Sequence, residues 1–186
     1  MKSINTYYTN KEQLTSFIYD AKIYNSASLL IQVFSGVINK DFISTLLSEL
    51  IDLLPDAVII GCTTDGEIMN GKVSSSKVTL SFTQFDHVTL KASAITHKAD
   101  GFYSGQYLAQ ELIEDDTKLM ITFVDGLHTN GEEFLNGING VNDDIIVVGG
   151  HAADNHNIKE TFVFTKERIL SRGAVAVSLN SNHLHP

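Results

Sequence analysis

Two kinds of apolar pattern alternate along the chain. Leu14, Phe17, Ile18 and Ala21 recur at helical spacing, as do Phe42, Ile43, Leu46, Leu47 and Leu50. Each set predicts a helix with one face turned to a core. Asn10 with Gln13, and Asn130 with Glu133, have the spacing of capping boxes and predict helix starts. Short unbroken apolar runs at 57–61, 119–124 and 145–148 suit strands covered on both faces, because a strand with one wet face would alternate. The stretches 77–84 and 88–95 do alternate, and predict strands with one polar face.

The pattern then repeats. "LLIQVFSG" (29–36) corresponds to "LMITFVDG" (119–126), and "FISTLLSELIDLLP" (42–55) to "EFLNGINGVN" (133–142). "DAVIIGCTTDGE" corresponds to "DDIIVVGGHAADN", "VTLSF" (78–82) to "VAVSL" (175–179), and "YTNKEQL" (8–14) to "THKADGF" (96–102). Five matches in the same order, offset by about 90 residues, are the signature of an internal repeat. The expected fold class is therefore α/β, with internally duplicated βαβαββ-type halves and mixed β-sheets flanked by helices. The halves would run over residues 3–85 and 88–180 of one 1–186 domain, since no proline- or serine-rich linker separates them.

Both halves carry the same break. "IIGCTTDGE" (59–67) and "VVGGHAADN" (147–155) each leave a β-branched run at glycine and enter a small, acid-containing loop. Loops at the C-terminal edge of such strands are the usual ligand crevice of α/β sheets. The first offers Thr63, Thr64, Asp65 and Glu67, and the second His151, Asp154 and Asn155. Gly61, Gly66, Gly149 and Gly150 serve as structural loop glycines. Small residues beside hydrogen-bonding ones suit a compact polar ligand, and opposed carboxylates favour one bearing an amine. Glu67 and Asp154 are the expected ligand-facing acids, on loops expected to bound one pocket. The same residues are also ordinary turn formers.

Composition narrows the possibilities. The formal charge is −9, so the chain lacks the basic footprint of a nucleic-acid binder and an anionic membrane would repel it. A single cysteine, Cys62, precludes an internal disulfide framework and fits a reducing cytoplasm. The N-terminus lacks the apolar core of a signal peptide, and no apolar run reaches membrane-span length. Cys62 acting with His128 or His151 would make a cysteine-dependent amidohydrolase, but a small residue ending a buried strand is ordinarily core packing. His128 precedes a helix start, whose amides could hold an anion. The tail "NHLHP" places two histidines close together, and terminal pairs of this kind are usually incidental. The chain contains no phosphate loop, no HExxH and no GxSxG.

"IIGCTTDGEI" and "VVGGHAADN", the latter followed by "ETFVFTKERILSRGAVAVSL", resemble the two signatures of the N-terminal part of FIST domains. In the second signature a double glycine and Asp-Asn precede a β-hairpin and a glycine-led final strand. The resemblance covers residues 5–180. It implies a cytoplasmic sensory input domain of bacterial signal transduction that binds a small polar molecule such as an amino acid. The expected output partner is a histidine kinase, a chemoreceptor or a cyclic-di-GMP enzyme. No cofactor, metal or catalytic residue is expected, although some members are described as haem-binding nitric-oxide sensors; His151 would then be the axial candidate. Two departures stand out. Position 151 is histidine where the family pattern has an apolar residue, and the sequence stops where a C-terminal FIST half would usually begin.

Overall fold

The computed structural model describes residues 1–96 and 100–183. Part of "THKADGF" and His185 of the tail lie outside them. The first half runs β1 (Lys2–Tyr7), α1 (Lys11–Asp20), β2 (Leu29–Ser35), α2 (Lys40–Leu53), β3 (Val58–Thr63), β4 (Glu67–Met69), β5 (Lys72–Ser74) and β6 (Val78–Gln84). The second runs β7 (Thr89–Thr96), α3 (Gly101–Leu112), β8 (Thr117–Val124), α4 (Gly131–Asn139), β9 (Ile146–His151), β10 (Val163–Thr165), β11 (Ile169–Leu170) and β12 (Gly173–Asn180).

The helices start where side chains replace the missing backbone partners of the first turn. Asn10 accepts the Gln13 N–H and Asn130 accepts those of Glu132 and Glu133. Asn39 caps α2 and Asp100 caps α3 in the same way. On α2 the predicted stripe is the buried one: Ile43, Leu46, Leu47 and Leu50 all face inward.

The two larger sheets share one topology. The first has the order β1-β6-β2-β3 and the second β7-β12-β8-β9. In both, the first two strands are antiparallel, the middle pair is antiparallel and the last pair is parallel. Equal order and equal directions are what a tandem duplication would leave. The hairpin β10–β11, although encoded in the second half, crosses over and pairs antiparallel with β3, extending the first sheet to six strands. Three apolar cores result, which gives a helix–sheet–sheet–helix stack. One lies under α1 and α2, around Leu14, Leu46 and Phe82. One lies between the sheets, around Leu30, Ile60, Phe123 and Val177. One lies under α3 and α4, around Leu108, Phe134 and Ala176.

One expectation requires correction. The apolar run 145–148 predicts a strand covered on both faces, yet β9 is the last strand of its sheet and, among the described residues, nothing pairs with its outer edge. Ile146 is 45% exposed and Val148 43%, whereas Ile59 and Ile60 of the corresponding strand β3 are buried. Among the described residues no helix is long and apolar enough to cross a membrane.

Candidate functional site

The first signature loop is held from within. Gly61 lies flat against β10: a Cβ there would stand 2.3 Å from the Phe164 ring. The Thr63 hydroxyl accepts the Phe162 N–H at 2.9 Å. Thr64 donates its hydroxyl proton to Glu67 Oε1 at 2.6 Å, and Glu67 Oε2 accepts the Lys77 N–H at 3.1 Å. Glu67 is 1% exposed and rests over Gly36, where a Cβ would come within 2.5 Å of its carboxylate.

The second loop wraps its own acid in the same way. Asp154 accepts the N–H groups of Ile158 (2.8 Å), Lys159 (2.7 Å) and Glu160 (3.1 Å). Presenting those amides forces Asn155, His156 and Ile158 into left-handed backbone with φ of 56°, 61° and 54°. Burial alone would raise the Asp154 pKa; the amides of Lys159, Ile158, Glu160 and Asn157 outweigh it and hold the carboxyl below its ordinary value.

The two loops meet. Ala153 donates its N–H to the Thr63 carbonyl at 2.9 Å, and Asn155 donates its side-chain N–H to the Gly36 carbonyl at 2.8 Å. His156 bonds Asp65 through its backbone N–H (3.0 Å) and through its ring, with Nδ1 3.0 Å from the carboxylate. The sequence signatures thus converge in space, but as a filled joint. None of the cavities described is lined by both loops. Glu67 and Asp154 point into their own turns, where backbone and hydroxyl donors occupy their oxygens, and do not face a shared pocket. Thr63, Thr64 and Asn155 serve the same joint. Gly66 borders the β4–β5 turn, 3.3 Å in Cβ terms from the Ser74 carbonyl.

The remaining candidate residues of the second loop do line a cavity. Gly149, Gly150 and His151 form one wall of a groove between β9 and α4, with Phe134, Leu135 and Glu132 opposite and a volume of about 720 Å³. Gly149 has φ +147°, and a Cβ there would strike the Thr122 carbonyl at 1.8 Å; Gly150 faces open space. The His151 ring turns toward the start of α4, with Nε2 3.3 Å from the Thr129 carbonyl and Cε1 where a Cβ on Gly131 would be. The helix-start amides of Glu132 and Glu133 are taken by the Asn130 side chain, so those two are not free for an anion.

A buried acid that the sequence reading did not single out organises the neighbouring turn. Asp125 is fully buried and accepts the N–H of Leu127 at 2.9 Å and of His128 at 3.2 Å. Its Oδ1 is also 3.0 Å from His128 Nδ1. The hydroxyls of Thr129 and Thr161 complete its shell at 3.3 and 3.4 Å. An Asp-Gly pair closing an apolar run is the signal that could have marked it.

Cys62 is buried in the core between the sheets. Burial pushes its thiol up to about 12, so almost no thiolate exists near neutral pH. His128 is committed to Asp125 and His151 to Thr129. Among the described residues no cluster of three metal-ligating side chains occurs. The model of one protein family, described as the FIST N domain, matches residues 29–185. No curated protein matches the chain.

Proposed function

The chain belongs to the FIST N domain family, and from that premise we propose that it is a sensory input module of signal transduction whose ligand occupies the groove between β9 and α4. The supporting observation is that Gly149 and Gly150 of the second signature, with the adjoining His151, form one wall of that groove. Apolar Phe134, Leu135, Val147 and Val148 and polar Glu132, Asn136 and His151 line it together. Such a lining suits a small molecule with an apolar body and a polar end, such as an amino acid with its amine toward Glu132. Ligand seated between a sheet edge and a helix would favour one spacing of the two, and a partner could read that shift. The partner would be a kinase, chemoreceptor or cyclic-di-GMP enzyme in the cytoplasm.

A thermal-shift screen of amino acids tests this reading. A hit should raise the melting temperature with concentration. Glu132→Gln or His151→Ala should weaken it by roughly 1–3 kcal/mol, and Thr64→Val should not. No shift with any amino acid would leave the groove without its proposed occupant. Haem is less well accommodated, because His151 Nε2 already faces the Thr129 carbonyl, and an absorbance spectrum of the purified protein checks it. Hydrolysis through Cys62 is opposed by the burial of its thiol.

A further inference from the structure

Two elements stay unpaired, and the repeat relates them to a pair that is made. In the first sheet the edge of β3 is covered by β10, with Phe164 opposite Gly61 and Cys62 opposite Val163. Backbone groups alternate in direction along a strand. Thr64 donates to Ser35 of β2, so Thr63 and Gly61 turn the other way, and Thr63 donates to Phe162 at 2.9 Å. In the second sheet Ala152 donates to Val124 of β8 at 2.8 Å. Val147, Gly149 and His151 therefore turn their N–H and C=O groups to the open edge, and among the described residues those groups have no partner.

The second unpaired element is the hairpin β4–β5. It holds the place in the first half that β10–β11 holds in the second, directly after the glycine loop and before the last strand. Its turn is Asn70–Gly71, with φ of 53° and 72°, a tight two-residue connection. Ile68 is opposite Val73, and these are 73% and 77% exposed. In β10 the corresponding residues Val163, Phe164 and Thr165 are all buried. β4–β5 forms a two-stranded sheet of its own, and such a ribbon is marginal alone in water. By alternation Ile68 turns its backbone groups to the free side of the ribbon, as Phe164 turns its own to β3.

We propose that the β4–β5 hairpin of a second copy of this chain docks antiparallel on β9, as β10–β11 docks on β3 within one chain. Ile68 takes the place of Phe164 and lies opposite Gly149, which stands where Gly61 stands: both lie two residues before the last paired residue of the strand, Thr63 in one and His151 in the other. By alternation Ile68 and Val73 then fall on the face of β9 that carries Val147 and His151 and is turned to α4, while Met69 comes opposite the exposed Val148. A reciprocal exchange gives a closed two-fold dimer. The hairpin then lies along the open side of the groove beside α4, as β10–β11 lies beside α2. This inference concerns assembly and stands whether or not a small molecule binds in the groove.

Sedimentation velocity of the full chain decides it. The wild type should be dimeric at about 100 μM, a concentration that fills a contact with a Kd near 10 μM. Ile68→Asp puts a charge on the docking face, and His151→Pro removes the outward N–H that stands where the Thr63 N–H, bonded to Phe162, stands in the first half, without touching the β8–β9 ladder. Each variant should be monomeric, with circular dichroism and melting temperature close to wild type. Mixing the two should restore a dimer, because the intact hairpin of His151→Pro still meets the intact β9 of Ile68→Asp. A monomeric wild type overturns the proposal. So does an Ile68→Asp protein that remains dimeric, the result expected if two β9 strands paired with each other. A mixture that stays monomeric overturns it as well.

Discussion

β3 and β9 occupy the same place in two sheets of the same order, and they have opposite surroundings. β3 has β2 on one side and β10 on the other, and Ile59 to Thr63 are buried. β9 has β8 on one side and, among the described residues, no strand on the other, and most of its residues are exposed. The apolar content of the two strands is nearly equal, so the difference is one of coverage. One hairpin in the second half crossed to the first sheet, and the equivalent hairpin in the first half did not cross back. The uncovered strand carries the groove lined by Gly149, Gly150 and His151, which is why the candidate site lies at β9 and not at the packed joint of the two loops.

The sharpest way to break the comparison is to remove the cover on β3. Phe164 is fully buried and packs on Gly61, so Phe164→Ala should cost about 3–5 kcal/mol, measured by urea unfolding. The contact should also fail from its other side. Gly61→Ala drives a methyl into the Phe164 ring and should cost about 1–3 kcal/mol. Gly150→Ala on the bare strand meets nothing within 4 Å and should change stability by less than about 0.5 kcal/mol. Equal losses from the two glycine variants would mean that β9 is covered after all.

Between these extremes falls the joint. Asp154→Asn keeps the shape but weakens acceptance of the N–H groups from Ile158, Lys159 and Glu160, and should cost about 1–3 kcal/mol. The pH dependence has a definite sign. The folded pKa of Asp154 is lowered, so its contribution is fully present above the unfolded value of about 3.9 and is lost as pH falls through the lower folded value. The stability gap between wild type and Asp154→Asn should therefore be constant from neutral pH down to that unfolded value and close below it. A gap that widened on acidification would contradict the assignment.

The order of helices and strands was legible because it rests on local patterns. Apolar spacing marked α1 and α2, Asn10 and Asn130 marked helix starts, and the recurrence of five segments anticipated two similar halves. The parts that were not legible depend on partners distant in sequence. The run 145–148 reads as a covered strand because composition reports what a strand can bury and not whether a neighbour is present. Glu67 and Asp154 read as ligand acids because a carboxylate in a glycine loop looks the same whether it faces a ligand or the amides of Lys77 and Lys159. The Asn70–Gly71 turn was not singled out either, although "EIMNGKV" carries an Asn-Gly pair between apolar residues; its place in the fold emerges only beside β10–β11.

Amide hydrogen exchange by NMR on the Ile68→Asp protein tests most directly that one of two equivalent edges is covered and the other bare. That variant keeps the β4–β5 hairpin from occupying β9, so the chain is read alone. The account predicts slow exchange at Gly61 and Thr63, which are bonded to β10, and exchange faster by orders of magnitude at Val147, Gly149 and His151, which face solvent. Equal protection at the two sets of amides would contradict it.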